Sequence, residues 1–302
     1  MFLSKLFRKG KRKQKEDLCA IESTEDDDLS QCEDLCELIY GFSAAVISDV
    51  GRRENNEDNY VLANNINWDS SEHREVACSF AKPVGRWCVA GVFDGMGGGE
   101  LGELASHCAA EIFLKPFADF AGPRSKTEVD MVMCQAFLEA NNHIRAFQKE
   151  HRIYGTTGTV LCTNGVEFKI YHLGDSRAYF KHDDRLVQIT KDQTLAQMKI
   201  DIGMYQQDDP SADADRNKLT EYIGRDGTKK NLKPVESLWI PIQKKDIILL
   251  CSDGLHSMCS DEEIHQILCK DMSAAETAME LVNAAKMNGG TDNITAMVFV
   301  FS

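Results

Sequence analysis

From Ile39 to Ser302 the chain alternates short apolar runs with polar turns; before Ile39 charged residues dominate. Apolar runs of this length, bounded by turn-forming residues, predict strands. They are AAVIS (44–48), WCVAGVFD (87–94), TVLCT (159–163), EFKIYHL (167–173), RAYF (177–180), RLVQIT (185–190), DIILLCS (246–252) and NITAMVFVF (293–301). Three other segments repeat apolar residues at helical spacing. Leu101, Leu104, Ala105, Cys108, Ala109, Ile112 and Phe113 form one stripe. Val129, Val132, Met133, Ala136, Phe137, Ala140, Ile144 and Phe147 form a second, and Ala274 to Met287 carries a third. Ser125 with Glu128, and Ser273 with Glu276, stand at the spacing of a helix-starting capping box. The two longest helices follow one another without a strand between. That order argues against regular βαβ alternation and for an α+β fold, with helices covering stacked, largely antiparallel sheets.

The hydrophobic pattern divides the chain into a charged tail, residues 1–38, and one domain, residues 39–302. MFLSKLFRKGKRKQK carries seven Lys/Arg and no acid, and residues 16–37 carry ten Asp/Glu. Such blocks rarely pack into a core. If residues 2–7 are helical, Phe2, Leu3, Leu6 and Phe7 share a face. With the polybasic run, that suits a weak contact with an anionic membrane. A solvated tail that folds back on the acidic stretch is the plainer alternative. No stretch approaches the roughly 20 apolar residues of a membrane span, and the start lacks the order of a secretory signal. A net charge of −14 argues against a nucleic-acid partner. The 11 cysteines include no C-x-x-C pair and read as reduced, small hydrophobes of a cytoplasmic protein.

Four acidic clusters stand at the ends of strand-like segments: Asn56-Glu57-Asp58, Asp94-Gly95, Ser252-Asp253-Gly254 and Thr291-Asp292-Asn293. Each alone reads as a turn. Together they would place several carboxylates at one end of a sheet, where they repel one another unless cations bind between them. Hard oxygen donors select Mg²⁺, Mn²⁺ or Ca²⁺ over zinc. Gly97 to Gly102 also fits G-x-G-x-x-G between a strand and a helix. Asp94 beside a pyrophosphate, and the Pro-broken KPFADFAGPRSK in place of a second strand, oppose a nucleotide site. The glycines suit close backbone approach at a metal site instead.

The segments SDVGRRENNEDNY, VFDGMGGGELGELAS, GTTGTVL, YHLGDSRAYF, ITKDQTLAQ, LTEYIGRDG, LLCSDGLHSM and GGTDNITAMVF span residues 48–300. In that order the chain resembles the protein phosphatase 2C family, the metal-dependent PPM-type serine/threonine phosphatases, and most closely their bacterial branch. The resemblance implies a four-layer αββα sandwich with two Mn²⁺ or Mg²⁺ at one edge. It implies that Asp94 bridges the metals and that Gly95 offers its carbonyl. Glu57, Asp253 and Asp292 would complete the ligands, with Asp58 beside them and Asp175 and Asn293 behind. Arg53 takes the place of the phosphate-binding arginine. The implied reaction is attack of a metal-bridging hydroxide on phosphoserine or phosphothreonine of proteins modified by a Ser/Thr kinase. No cysteine nucleophile is needed, and none of the 11 cysteines has an Arg six residues later. The alternative is a regulatory or binding module that keeps the fold but catalyses weakly.

The chain departs from the family pattern in places. Met96 replaces a histidine that some members use to protonate the leaving group. Ser257 and HRIY at 151–154 lack two acids of the family's third, weaker metal position, so two bound ions are expected. Gln193 stands where TKDH-like segments have histidine, without an evident mechanistic reason. Residues 196–218 match the family's variable flap beside the active site. His172, next to the GDSR segment, reads as a packed strand residue.

Overall fold

The computed structural model describes residues 41–62, 65–66, 74–80, 87–98, 100–118, 122–148, 153–206, 209–226 and 232–302. The expected tail, residues 1–38, lies outside the described residues. In chain order the first half forms β1 (Phe42–Asp49), β2 (Asp58–Leu62), β3 (Asn65–Ile66), β4 (Arg74–Phe80), β5 (Cys88–Met96), α1 (Glu100–Ala118) and α2 (Lys126–Phe147). Strands β6 (Gly155–Thr156), β7 (Gly158–Thr163), β8 (Glu167–Leu173), β9 (Arg177–His182) and β10 (Arg185–Gln188) follow. Next come α3 (Leu195–Asp201), a 3-10 turn (Pro210–Ala212), α4 (Asp213–Arg216), β11 (Val235–Glu236) and β12 (Ile240–Pro241). The chain ends with β13 (Ile247–Cys251), α5 (Asp253–His256), α6 (Asp261–Leu268), α7 (Ala274–Met287) and β14 (Ile294–Phe301).

Among the described residues the strands make two sheets. One has six strands in the order β10-β9-β13-β14-β1-β4. The other has eight: β11-β8-β7-β5-β2-β3, with β12 on β8 and β6 on β5. Every pairing is antiparallel. Side chains alternate between sheet faces, and that alternation sorts the layers. On the eight-stranded sheet Val61, Val89, Phe93, Val160 and Tyr171 meet Phe113 of α1 and Phe137 of α2. On the six-stranded sheet Ile47, Leu249 and Val298 meet Leu255, Ile264 and Leu281 of α5, α6 and α7. The intervening residues, among them Val46, Leu250, Met297, Phe299, Tyr60, Val92 and Leu161, are buried between the sheets. Phe168 of β8 and Phe180 of β9 meet across that layer, their rings tilted at 56° with centroids 5.1 Å apart. The result is the four-layer αββα sandwich.

All eight apolar runs are strands. β4 (REVACSF) was not legible, because its charged start and a stretch of only three apolar residues, Val76-Ala77-Cys78, make neither a run of strand length nor an alternation. Leu104 and Phe147 leave their expected stripes for solvent, at 46% and 55% exposure. The Ser273–Glu276 box at α7 is complete. At α2 it is half formed: Ser125 accepts from the Glu128 N–H, but the Glu128 carboxylate takes the N–H of Arg124. A second complete box, Ser260 with Glu263, starts α6. Among the described residues no helix is long and apolar enough to cross a membrane.

Candidate active site

The same alternation that builds the inter-sheet core ends in polar residues at one edge. Counting inward from Val92 and Tyr60 gives Asp94 and Asp58, which face each other across β5 and β2. From the other sheet the inward positions at this end are Ser48, Thr295 and, just beyond β13, Ser252. Asp58 Oδ2 accepts from Ser252 Oγ and Thr295 Oγ1, both at 2.7 Å, so one carboxylate ties the two sheets together. Ser48 donates in turn to Thr295 at 2.8 Å, and Asn56 Nδ2 to Ser48 at 2.9 Å. Asp94 is fixed through its backbone. Its N–H donates to Thr157 Oγ1 (2.9 Å). Its carbonyl accepts from the Thr157 N–H (2.8 Å) and Thr156 Oγ1 (2.9 Å).

Asp253, the first residue of α5, hydrogen-bonds the Asp94 carboxyl. Two carboxyls in such contact share a proton or need a cation. Burial, then the nearby Asp253, Asp58, Asp175 and Asp292, push Asp94 well above the carboxylate range. Burial and Asp292 push Asp253 up to about 6. Asp58 rises to about 7, because burial outweighs its two hydroxyl donors. Asp175 is raised as well, by burial and then by Asp253. Five expected acids thus converge electrostatically. Among the described residues, however, no three acid, imidazole or thiol groups close around one point tightly enough to cage an ion alone.

Glu57 and Arg53 arrive on the loop between β1 and β2. Asn293 holds that loop: its Oδ1 accepts from the Glu57 N–H (2.8 Å), and its Nδ2 donates to the carbonyls of Val50 and Asn55 (both 2.9 Å). Gly51 turns the chain at φ +61°, and a Cβ there would lie 2.0 Å from the Asp292 carbonyl oxygen. Arg53 stands at the mouth, donating from Nη2 to Asp292 Oδ2 (2.6 Å) and from Nε to the Thr291 carbonyl (3.2 Å). The glycine loop allows close approach, as expected. A Cβ on Gly102 would lie 1.7 Å from Glu57 Oε2, and one on Gly95 would lie 2.3 Å from the Gly102 carbonyl oxygen.

Sequence reasoning missed His256 and Asp192. A cleft of about 310 Å³ opens beside Asp253, lined by Asp175, Asp192, His256 and Ser257 below and by Gln197 and Arg216 of the flap above. His256 Nε2 donates to the Asp175 carbonyl at 3.0 Å, and burial lowers its pKa to about 4. Its place one turn after Asp253 was the available signal. Asp192 takes both arms of Arg177, at 2.9 and 2.7 Å. His172 is a packed strand residue, held by Thr159 and the Lys191 carbonyl. Of the stretch expected to lack a third-position acid, Ile153 and Tyr154 are described. His151 and Arg152 lie outside the described residues.

A family model of protein phosphatase 2C matches residues 69–288. The serine/threonine phosphatase stp of Listeria innocua is 28% identical over 68% of this chain and 82% of its own length. The serine/threonine protein phosphatase PstP of Mycobacterium tuberculosis is 32% identical over 68% of this chain and 38% of its own length. The crystal structure of a PstP catalytic domain in complex with two manganese ions superposes with a TM-score of 0.67 at 27% identity, covering 87% of this chain and 99% of that one. The chain belongs to the protein phosphatase 2C family and is a PPM-type serine/threonine protein phosphatase.

Proposed function

We propose that Glu57, Asp94, the Gly95 carbonyl, Asp253 and Asp292 hold two divalent cations, Mn²⁺ or Mg²⁺, with Asp58 beside them. There the enzyme hydrolyses phosphoserine and phosphothreonine on proteins modified by a Ser/Thr kinase. The observation that carries this reading is the contact between the Asp94 and Asp253 carboxyls, inside a buried group of acids that raise one another's pKa. Bound cations would resolve that repulsion, and an all-oxygen donor set fits hard ions. Mg²⁺ and Mn²⁺ suit a site that protein atoms leave incomplete, because such ions keep several waters. The two manganese ions of the PstP domain support the same loading here. Two ions per chain are proposed rather than three, because Ser257 brings a neutral hydroxyl where an acid would be needed.

When bound, such ions lower the pKa of water and offset charge on phosphoryl oxygens. The chain's own residues orient the substrate. The Arg53 guanidinium at the mouth can take two phosphoryl oxygens in its planar fork. Thr156 and Thr157 fix the Asp94 backbone, Asn293 fixes Glu57, and the Ser252–Asp58–Thr295 bonds lock the two sheet edges. Outside the domain, the basic segment of residues 1–15 would add a weak anionic-membrane contact to a cytoplasmic enzyme. The test is hydrolysis of a phosphopeptide with Mn²⁺, with and without chelator. Chelator-sensitive turnover is expected. No turnover at saturating Mn²⁺ would leave the catalytically weak binding module as the better description.

A further inference from the structure

Gln193, which had no mechanistic role in the sequence, sits where three segments meet. Its side-chain Oε1 accepts from the Gly174 N–H at 2.8 Å, and its own N–H donates to the Gly174 carbonyl at 2.8 Å. Its carbonyl accepts from both the N–H (2.8 Å) and Oγ1 (2.9 Å) of Thr220. One residue thus holds the loop before Asp175 with two bonds and the far end of the flap with two more. The flap ends close beside it: Thr194 and Leu219 form an isolated β-bridge, and the Leu195 N–H donates to the Lys218 carbonyl at 2.8 Å.

The Gly174 side of this clasp is anchored independently of Gln193. Gly174 sits at φ +110°, where a Cβ would meet Thr157 at 2.6 Å. The next residues are held by His256 on the Asp175 carbonyl (3.0 Å) and by Thr157 on Ser176 (2.7 Å). Thr157 in turn brackets Asp94. On the flap side, Lys191 of the segment after β10 also grips Asp201 at 2.6 Å. The flap's two short helices, α3 and α4, are joined to each other by Lys199 on Asp215 at 2.5 Å. Among the described flap residues, Gln197 and Arg216 line the cleft beside Asp253.

We infer that Gln193 is a positioning residue that sets the flap against the catalytic edge, and so sets the fit of a phosphopeptide whose flanking residues occupy the cleft. The inference rests on the phosphatase reading above. Its signature is a split between substrates. A small aryl phosphate needs only the acids and Arg53, whereas the residues flanking a phosphorylated side chain in the cleft would lie against Gln197 and Arg216.

The test compares Gln193→Met, which keeps length but removes the acceptor, with Gln193→Glu, which keeps an acceptor oxygen. Both are made in the full chain and assayed with Mn²⁺. Losing one such hydrogen bond corresponds to about tenfold in a local opening equilibrium. For Gln193→Met, amide exchange in α3 and α4 should rise about tenfold, while α2 and α7 stay unchanged. KM for a phosphopeptide should rise roughly fivefold, and kcat for p-nitrophenyl phosphate should stay within about twofold. Gln193→Glu should remain near wild type in exchange. Thr220→Val, which removes the hydroxyl bond from the flap side, should loosen α4 in the same sense and stands in if Gln193→Met folds poorly. Unchanged exchange in α3 and α4, an even rise across the chain, or an equal loss on both substrates would overturn the inference. A wild-type chain inactive on both substrates would overturn the phosphatase reading instead, and the exchange result would still decide the clasp.

Discussion

At the scale of single residues, the acids and the glycines of the site make different demands. Asp94→Asn should nearly abolish turnover and weaken Mn²⁺ binding, because it removes a charge from the centre of the acid group. Arg53→Ala should instead raise KM for a phosphopeptide with less loss of kcat, since it removes an exposed phosphate clamp and leaves the acids in place. Steady-state kinetics across a Mn²⁺ titration separate the two; normal turnover by Asp94→Asn at limiting Mn²⁺ would refute its proposed role. Gly102→Ala is the subtler case. The new Cβ would collide with the free end of the Glu57 side chain at 1.7 Å. A flexible carboxylate end can swing away, so the fold should survive with a Tm within a few degrees. The displaced carboxylate should lower Mn²⁺ affinity about tenfold, read by calorimetry. Glu57, Asp94, Asp253 and Asp292 were legible in the sequence because each stands beside a strand-like run. His256 and Asp192 were not, because their partners, Asp175 and Arg177, are brought to them by the sheet and not by local spacing.

At the scale of elements, apolar runs proved readable in most long strands buried on both faces, as in β13, where all five residues are buried; β2 is equally buried but opens on the polar pair Asp58-Asn59 and makes no such run. Where that signal fails, as in β4, pairing alone makes the strand: its backbone lies in register with β1 from Phe80 opposite Phe42 to Arg74 opposite Ser48. The β1–β2 loop is a third kind of element, irregular yet fixed. Three hydrogen bonds from the Asn293 side chain hold it, and Lys286 grips Asp49 at its start at 2.5 Å. Asn293→Ala removes those three bonds at once. With a net contribution of about 1 kcal/mol each, exchange in residues 50–57 should quicken by about a hundredfold. Activity should fall with it, because Glu57 and Arg53 both ride on this loop. Full activity in Asn293→Ala would show that the loop holds its shape without that residue.

At the scale of the whole molecule, the buried titratable groups divide into two sets that respond oppositely to pH. The buried acids have raised pKa values, so without metal they cost stability as pH rises through those values. His172 works the other way. Burial lowers its pKa from the ordinary 6.5 to about 4. The neutral ring donates from Nε2 to the Lys191 carbonyl, which leaves Nδ1 as an acceptor facing the Thr159 hydroxyl 2.9 Å away. Between pH 6.5 and 4 the unfolded chain therefore binds a proton that the folded chain refuses. The contribution is fully present above pH 6.5 and is lost as pH falls toward 4. A shift of that size corresponds to about 3 kcal/mol. The acids obscure this in the wild-type curve alone, so the informative quantity is the difference between wild type and His172→Gln, measured by urea unfolding in chelator. The substitution alters packing by an amount that does not depend on pH, whereas the His172 term does. The wild-type advantage should hold steady from pH 8 to about 6.5 and then shrink as pH falls. A difference that stays flat down to pH 4.5 would mean that His172 takes up its proton without unfolding, and that the ring is less enclosed between Thr159 of β7 and the Lys191 carbonyl than its contacts indicate.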